Sequence, residues 1–472
     1  MRLELEELAA AAGCTLPEAA GNVTVTAVVT DSRAVRPGTL FVCLAGEHAD
    51  GHDFALTAQE SGAAAVLGTR AAEDMPAGLR IPYLRADDAV TALGRMAACW
   101  RSRCTGVKVV GITGTAGKTT VKELLAQTLA LQGKTARNPV NLNNQIGLPL
   151  SLLATDGDEA FWVMEVGISH EGDMDELGEI LRPDAALILN VGAGHTEGLG
   201  ARGVAWHKAR LLRHVPREGI CLISADYPDL VREARAVRGD LHYFTAEGRP
   251  LQFRGAAAGR DGERGRYRLS LDGKSCDVSA PFRGGYGTEN CIAVAAMASL
   301  LGLAPETIAR GIAGAELPAQ RFVRQSIGPW SVIDDTYNAN PLSMLRMLDA
   351  AAELAQSDER DCLVAVLGEM RELGELAEAE HERLGRHLAE LRPCAVIWKG
   401  GQGEAVRAGL ERGGYAGLFR QPQDAAEFVD CMAALGREHP QGGLALFKGS
   451  RGNALEVWLT ALRDGAGERR ER

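Results

Sequence analysis

VVGITGTAGKTTVKELLAQTLA, residues 109–130, passes from a β-branched strand through a glycine-rich turn into a helix. The helical part carries Val121, Leu124, Leu125 and Leu129 on one face. A strand that feeds a helix through a tight turn is the repeating unit of a parallel sheet. The turn also has a chemistry. Gly114 and Gly117 let the backbone approach a phosphate, and the free N–H groups at a helix start donate to one. Thr115, Ala116 and Thr120 complete the loop, Lys118 is spaced to reach the β- and γ-phosphates, and the Thr119 hydroxyl is spaced to hold Mg²⁺. Position 112, six before Lys118, is Ile where the strict motif has Gly. An ordinary turn with a solvated Lys-Thr pair is the bland alternative. The strand before and the helix after favour nucleotide binding.

Working outward, the same rhythm continues. FWVMEVG (161–167), AALILNV (185–191) and GICLISA (219–225) are short β-rich runs separated by helical or loop segments. Between about residues 240 and 285 the rhythm breaks. LHYF, LQFRG, RYRLSLDG and SCDVSAPF predict the strands of an antiparallel appendage joined by Asp-Gly and Gly-rich turns. ENCIAVAAMASLLGL (289–303) then returns to helix. Upstream, VTVTAVVT, TLFVCLAG and AAAVLG alternate with Ala-rich helical stretches. A connector from Asp87 to Arg103 follows, with Ala89, Leu93, Met96, Ala97 and Trp100 spaced for one apolar face. Downstream, WSVIDDTY, DCLVAVLGEM, CAVIWKG and LALFKGS predict a further set of strands. The expected organisation is an α/β chain of three domains, 1–84, 85–317 and 318–472, which suits a length of 472 residues.

Composition narrows the class. Hydrophobic residues at 46% and charged residues at 24% describe a globular chain with material for several cores. A formal charge of −11 argues against coating nucleic acid, but allows ATP where the local site is positive. The ten cysteines lie at 14, 43, 99, 104, 221, 276, 291, 362, 394 and 431, with no CxxC pair, and read as reduced. MRLELEELAAAAGC lacks the basic start and apolar run of a signal peptide, and no apolar run approaches the ~20 residues that span a bilayer. The expectation is a cytoplasmic monomer without membrane insertion, ending in a solvated basic tail, GERRER.

TGTAGKTT (113–120), taken together with motifs further along the chain, resembles the Mur ligases of peptidoglycan synthesis, and the resemblance covers essentially the whole chain. It implies an N-terminal UDP-substrate domain, a central P-loop ATPase domain and a C-terminal Rossmann-like domain. NLNNQIGLPLSLL (141–153), DDTYNANPLSM (334–344), FKGSRGNALE (447–456) and LGEMRELGE (367–375) are similar to the branch that adds a dipeptide. That branch takes UDP-N-acetylmuramoyl-tripeptide (UDP-MurNAc-tripeptide) and D-alanyl-D-alanine (D-Ala-D-Ala) as substrates. The Asp-Asn-Pro-Arg of the diaminopimelate-adding ligase is absent from the sequence. The implied reaction is ATP-dependent ligation: the tripeptide carboxylate attacks the γ-phosphate, and the amine then attacks the acyl-phosphate.

The resemblance also implies roles, residue by residue. Lys118, Glu165, His195 and Lys208 would be catalytic, with Thr119, Glu165, His195 and Lys208 around Mg²⁺ (two ions). Glu165 ends the strand FWVME, where open parallel sheets put ligands; without the phosphate loop it would read as a solvated strand-end acid. His195 sits in the loop GAGHTEG after the next strand, a place that otherwise holds an ordinary loop histidine. Lys208 matches a lysine that the family carbamylates, although this chain reads Lys208-Ala209-Arg210 where many relatives read Lys-Gly-Glu; a surface lysine is the alternative. Asn290 matches a purine-contacting asparagine, preceded here by Tyr286-Gly287 in place of His-Asn, or it is a helix N-cap. Arg321 would reach the phosphates from the hinge, or be a rim arginine. Asp335, Tyr337 and Asn338 would form a nucleotide-facing loop after WSVID, with Pro341 opening the next helix. Lys448 and Arg451 would start a further helix facing the same cleft. TDSRAVRPGTLFVCLAGE (30–47) and DGHDF (50–54) resemble the uridine-diphosphate site, with Ser32 and Arg33 on the diphosphate. Asn141, Asn143 and Asn144 either orient the substrate carboxylate or cap a turn. A nucleotide-hydrolysing switch and a nucleotide-stabilised scaffold are the rival classes. The switch predicts nucleotide turnover without a peptide substrate and leaves the 30–54 cluster unexplained, and the scaffold predicts that ATP raises thermal stability while no phosphate is released.

Overall fold

A computed structural model of the chain describes residues 1–15, 22–46, 49–192, 198–360 and 362–468. It is a three-domain α/β fold. A short antiparallel pair, β1 (Leu3–Glu4) and β2 (Thr24–Val25), precedes a four-stranded parallel sheet. That sheet runs β3 (Ala27–Val29), β4 (Thr39–Val42), β5 (Ala65–Gly68) and β6 (Tyr83–Arg85) in chain order. The connector helix Ala89–Arg103 starts where the Asp88 side chain accepts the Thr91 N–H at 2.6 Å. Its predicted apolar stripe is buried, and the Trp100 indole donates to Thr155 Oγ1 at 2.9 Å.

The central sheet holds nine strands: β7 (Lys108–Thr113), β8 (Thr135–Arg137), β9 (Phe161–Glu165), β10 (Ala185–Ile188), β11 (Ile220–Ser224), β12 (His242–Thr245), β13 (Phe253–Asp261), β14 (Arg264–Leu271) and β15 (Lys274–Ala280). In space they run β15-β14-β13-β12-β11-β10-β7-β9-β8. From β8 to β13 the pairings are parallel, and only β13-β14-β15 are antiparallel. The appendage is therefore smaller than its sequence predicts, because LHYF joins the parallel sheet as β12. The antiparallel switch comes where the chain can reverse in two residues. Asp272 (φ 49°) and Gly273 (φ 81°) both take the left-handed conformation that a tight hairpin between β14 and β15 requires.

Successive residues of the central strands face opposite ways, so the sheet has two cores. Val110, Ile112, Val163, Leu187 and Leu222 pack on one face with the helix Gly285–Leu300. Val109, Trp162, Met164, Ile188 and Ile223 pack on the other with the connector helix. Cys291 through Ala298 are all buried, so the helix Gly285–Leu300 is enclosed on every side, which explains its lack of a polar face.

The third sheet is β16 (Val323–Ile327), β17 (Trp330–Asp335), β18 (Leu363–Gly368), β19 (Ala395–Lys399), β20 (Leu418–Arg420) and β21 (Gly443–Lys448), ordered β16-β17-β21-β18-β19-β20. All pairs are parallel except β16 with β17. Pro341 opens the helix Pro341–Ser357 as expected, behind a capping box in which Asn340 and Ser343 satisfy each other's backbone. One sequence expectation fails here. Cys362 and Cys394 are bonded to each other, while the other eight cysteines are free thiols. The two stand just before the adjacent strands β18 and β19, so a separation of 32 residues becomes a Cα distance of 5.6 Å. Among the described residues, no helix is long and apolar enough to cross a membrane.

Candidate active site

The phosphate loop leaves the carboxyl end of β7 and enters the helix Lys118–Leu129 through Gly117, whose φ of 80° an L side chain rarely adopts. A Cβ there would also lie 2.8 Å from Asn290 Oδ1. Gly114 is small for a different reason: a Cβ would stand 3.0 Å from the Leu189 Cβ. The loop is held from below by Asn190, which sequence reading missed. Its Oδ1 accepts the N–H groups of Thr115 (3.0 Å) and Ala116 (2.8 Å), and its Nδ2 donates to the Ala116 carbonyl at 3.0 Å.

Glu165, at the end of β9, is buried rather than solvated. Its Oε2 accepts the Thr119 hydroxyl at 2.7 Å, and its Oε1 accepts Asn143 Nδ2 at 2.7 Å. A hydroxyl and a carboxylate thus meet at the mouth of the loop. They are hard oxygen donors of the kind Mg²⁺ takes, so the residues present fit such an ion. Asn138, also missed, grips the Glu165 backbone: it accepts its N–H at 2.9 Å and donates to its carbonyl at 3.0 Å. Lys122, fully buried, ties the same segment down by donating to the Asn138 and Val140 carbonyls at 2.5 and 3.0 Å. Of the other asparagines, Asn141 lines the cavity, and Asn144 lines it while its Oδ1 also accepts the Gly147 N–H at 2.9 Å, at the start of the helix Gly147–Leu153.

Two lysines face this oxygen pair, Lys118 half-buried and Lys208 buried. Lys118 Nζ donates to the Gly114 carbonyl at 2.8 Å. Burial pushes its amine below the ordinary lysine range, opposed by Glu165 and reinforced by Arg321. Lys208 is not the surface lysine of the bland alternative. It is 2% exposed, on the helix Gly203–Ala209, and burial first, then the charge of Lys118, hold its amine well below the usual range. Asn290 is not an N-cap. It lies inside the helix Gly285–Leu300, and its buried Nδ2 has no partner among the described residues although it lines the cavity. The neighbouring Tyr286 packs on Phe282 and Phe322, with ring centroids 5.6 and 6.0 Å apart. Gly287 is demanded by packing, since a Cβ would fall 2.0 Å from the Tyr267 hydroxyl oxygen.

The third domain closes the other wall of a cavity of about 330 Å³. Asp335 is the last residue of β17 rather than part of a loop, and it pairs with Lys448, the last residue of β21 rather than the start of a helix. Arg451 does open a short 3₁₀ turn, Arg451–Asn453, and the next α-helix begins at Leu455. The Arg321 and Arg451 guanidiniums lie 4.1 and 5.5 Å from the Tyr337 ring centroid. The Asn338 carbonyl accepts Lys448 Nζ at 3.0 Å, and Asn340 Nδ2 reaches the phosphate loop itself, 3.1 Å from the Thr115 carbonyl.

Other expected site residues lie elsewhere. Ser32 and Arg33 sit in a short 3₁₀ turn of the first domain, outside this cavity, with the Arg33 side chain 88% exposed and paired with Asp31. In DGHDF, His52 is buried and accepts the Thr69 N–H at 2.8 Å, and Asp50 is held at about 2 by the His52 N–H and side chain, with Arg70 assisting. That stretch therefore anchors its own domain. His195 falls outside the described residues.

A left-handed glycine at a helix start, a buried hydroxyl–carboxylate pair and converging cations across two domains make a nucleotide-phosphate site of the kind an ATP-dependent ligase needs. Comparison with known proteins agrees over the full length. Residues 24–101 match the Mur ligase family, catalytic domain; 112–298 match the Mur ligase middle domain; 320–451 match the Mur ligase, glutamate ligase domain. The chain is 32% identical over 435 residues to the UDP-N-acetylmuramoyl-tripeptide–D-alanyl-D-alanine ligase of Bacillus subtilis (strain 168), covering 91% of each chain. Among solved structures it is similar to MurF from Acinetobacter baumannii (TM-score 0.86, 29% identity, 98% of this chain and 99% of that one). It is also similar to MurF from Thermotoga maritima in complex with ADP (TM-score 0.82, 26% identity, 94% and 99%). This chain belongs to the Mur ligase family.

Proposed function

We propose that the chain ligates D-Ala-D-Ala to UDP-MurNAc-tripeptide, with ATP converted to ADP and phosphate, in the cytoplasm where both nucleotides reside. The observation that carries this reading is the full-length similarity to ligases of that activity, joined to a cavity that faces the phosphate loop toward third-domain cations. The γ-phosphoryl group moves to the tripeptide carboxylate, giving an acyl-phosphate and ADP. The dipeptide amine then attacks the acyl carbon, phosphate leaves, and the amine loses a proton.

Negative charge accumulates in the first step, so stabilisation by fixed cations dominates. Lys118 swings from the Gly114 carbonyl to the phosphates, and Arg321 meets them from the third domain. Asn290 offers its free amide to the base. Mg²⁺ would be held by Thr119 and Glu165, with His195 and Lys208 serving a second ion, and when bound it neutralises phosphate charge. Asn143 fixes the Glu165 carboxylate, so the oxygen pair is set before substrate arrives. The depressed amine of Lys208 suits carbamylation: neutral nitrogen adds to CO₂, a proton leaves, and a cation becomes an anionic oxygen donor. Residues 1–84 take the UDP end through Ser32 and Arg33, residues 85–317 take ATP, and residues 318–472 complete the site by docking. Lys448 and Arg451 line the dipeptide side. In this reading the chain acts as a monomer.

Phosphate release from Mg-ATP with UDP-MurNAc-tripeptide, with and without D-Ala-D-Ala, tests the reading. Release that needs both substrates, with one pentapeptide nucleotide per phosphate, is the expected result. Release without either promotes a nucleotide-hydrolysing switch, and activity with a single amino acid moves the chain to a sister step.

A further inference from the structure

Among the described residues, two routes from the third domain to the phosphate loop start on the helix Pro341–Ser357. The direct route is Asn340 at its N-cap, on the Thr115 carbonyl. The second route is longer and starts from Arg346, whose guanidinium pairs with the Glu289 carboxylate and reaches the Tyr227 hydroxyl. Glu289 Oε1 accepts the Tyr227 O–H at 3.0 Å, and Oε2 accepts Asn190 Nδ2 at 3.1 Å. Asn190 in turn holds the N–H groups of Thr115 and Ala116. We propose that Arg346 is a positioning residue for ATP: through Glu289 and Asn190 it couples docking of the third domain to the shape of the phosphate loop.

The chain of contacts is continuous, with Glu289 and Asn190 buried and Arg346 and Tyr227 half-buried. The Glu289 side chain is 4% exposed and that of Arg346 is 24% exposed. A carboxylate at that depth needs a cation, and none but Arg346 pairs with it among the described residues. Glu289 also fixes which way the Asn190 amide points. With Nδ2 committed to Glu289 and to the Ala116 carbonyl, Oδ1 is left to accept the two loop N–H groups. Remove Arg346 and the carboxylate must find water or a proton, and the amide that shapes the loop loses its anchor. Because the loop is shaped partly by the docked domain, linkage requires the converse: ATP must favour docking by the same factor. This inference rests on ATP binding at the phosphate loop.

Arg346→Ala, Arg346→Lys, Glu289→Gln and Tyr227→Phe are assayed as full-length ligases, with KM measured for ATP and for the UDP-linked substrate. The expected result for Arg346→Ala is an ATP KM raised about ten-fold, with the UDP-substrate KM within about two-fold. Arg346→Lys should recover part of the loss, and Tyr227→Phe should raise the ATP KM about two- to three-fold. The double variant Arg346→Ala with Glu289→Gln should be no worse than the worse single, since both break one path. A merely structural role would lower the melting temperature and leave KM for ATP alone. Unchanged ATP KM in folded Arg346→Ala overturns the proposal, as do additive effects in the double variant. If Arg346→Ala does not fold, unchanged ATP KM in both Arg346→Lys and Tyr227→Phe overturns it equally. Failure of the nucleotide reading itself is distinct, because wild-type enzyme would then bind no ATP.

Discussion

Lys448 is the cation whose removal has the most readable consequence. Its amine lies between the Asp335 carboxylate and the Asn338 carbonyl, and the paired side chains are 4% and 12% exposed. The other Asp335 oxygen accepts the Phe322 N–H at 3.1 Å, so the carboxylate cannot turn toward solvent without abandoning a second bond. Lys448→Met keeps most of the apolar stem and deletes the charge. Breaking a pair this buried by removing one partner costs about 3–5 kcal/mol. Asp335→Asn keeps an acceptor for Phe322 and should cost about 1–3 kcal/mol. The double variant removes both charges at nearly constant volume and should cost only about 2–3 kcal/mol, a coupling of about 3 kcal/mol. Urea unfolding followed by tryptophan fluorescence reads this out, since Trp330, Trp398 and Trp458 are all buried in the third domain. The third-domain transition must be fitted by itself, because a chain of several domains need not unfold in one step. Additive costs would refute the reasoning, and so would a Lys448→Met loss below about 1 kcal/mol.

Glu165→Gln keeps the volume but removes an anionic oxygen beside Thr119; kcat for phosphate release should fall about 10²–10³-fold, and a change under about three-fold would contradict the assignment. Gly117→Ala places a Cβ 2.8 Å from Asn290 Oδ1 at a φ of 80°. ATP KM should rise about ten-fold or more, from strain of about 1–2 kcal/mol, and an unchanged KM would show that the loop relaxes freely. Lys208 is depressed below the ordinary lysine range, so it is neutral above its folded pKa and gains a proton as pH falls through it. Bicarbonate-stimulated activity should therefore be lost toward acid and be absent in Lys208→Ala; a fully active Lys208→Ala at physiological bicarbonate removes carbamylation. Arg33→Ala should raise KM for the UDP-linked substrate and leave the melting temperature alone, because the pair with Asp31 is solvent-exposed.

Much of the site was legible because its signals are local. Gly117, Lys118 and Thr119 sit within three positions of one another, and the strand before them and the helix after them announce themselves by periodicity. Glu165 was found from its place at a strand end, and Asn143 from the asparagine run beside the loop. The residues that hold these in place gave no such signal. Asn138 reads as one more polar residue before a proline, and Lys122 as a solvated helix lysine, yet both are buried around Glu165. An asparagine ending an apolar strand, such as Asn190, is a cue that could have been followed: a polar side chain there must be satisfied by something.

The sequence by itself determined the phosphate-loop unit, the alternation that makes parallel sheets, the helix start at Pro341 and, through resemblance, the family. Those are properties of short windows, set by backbone preference and by the spacing of apolar residues. Only the tertiary structure decided that LHYF extends the parallel sheet, that Cys362 meets Cys394, that Lys208 is buried and that Arg346 reaches Glu289 from another domain. Each depends on which distant surfaces pack together. Burial, and the charge pairing it forces, comes from the sum of those contacts and from no single window of the chain.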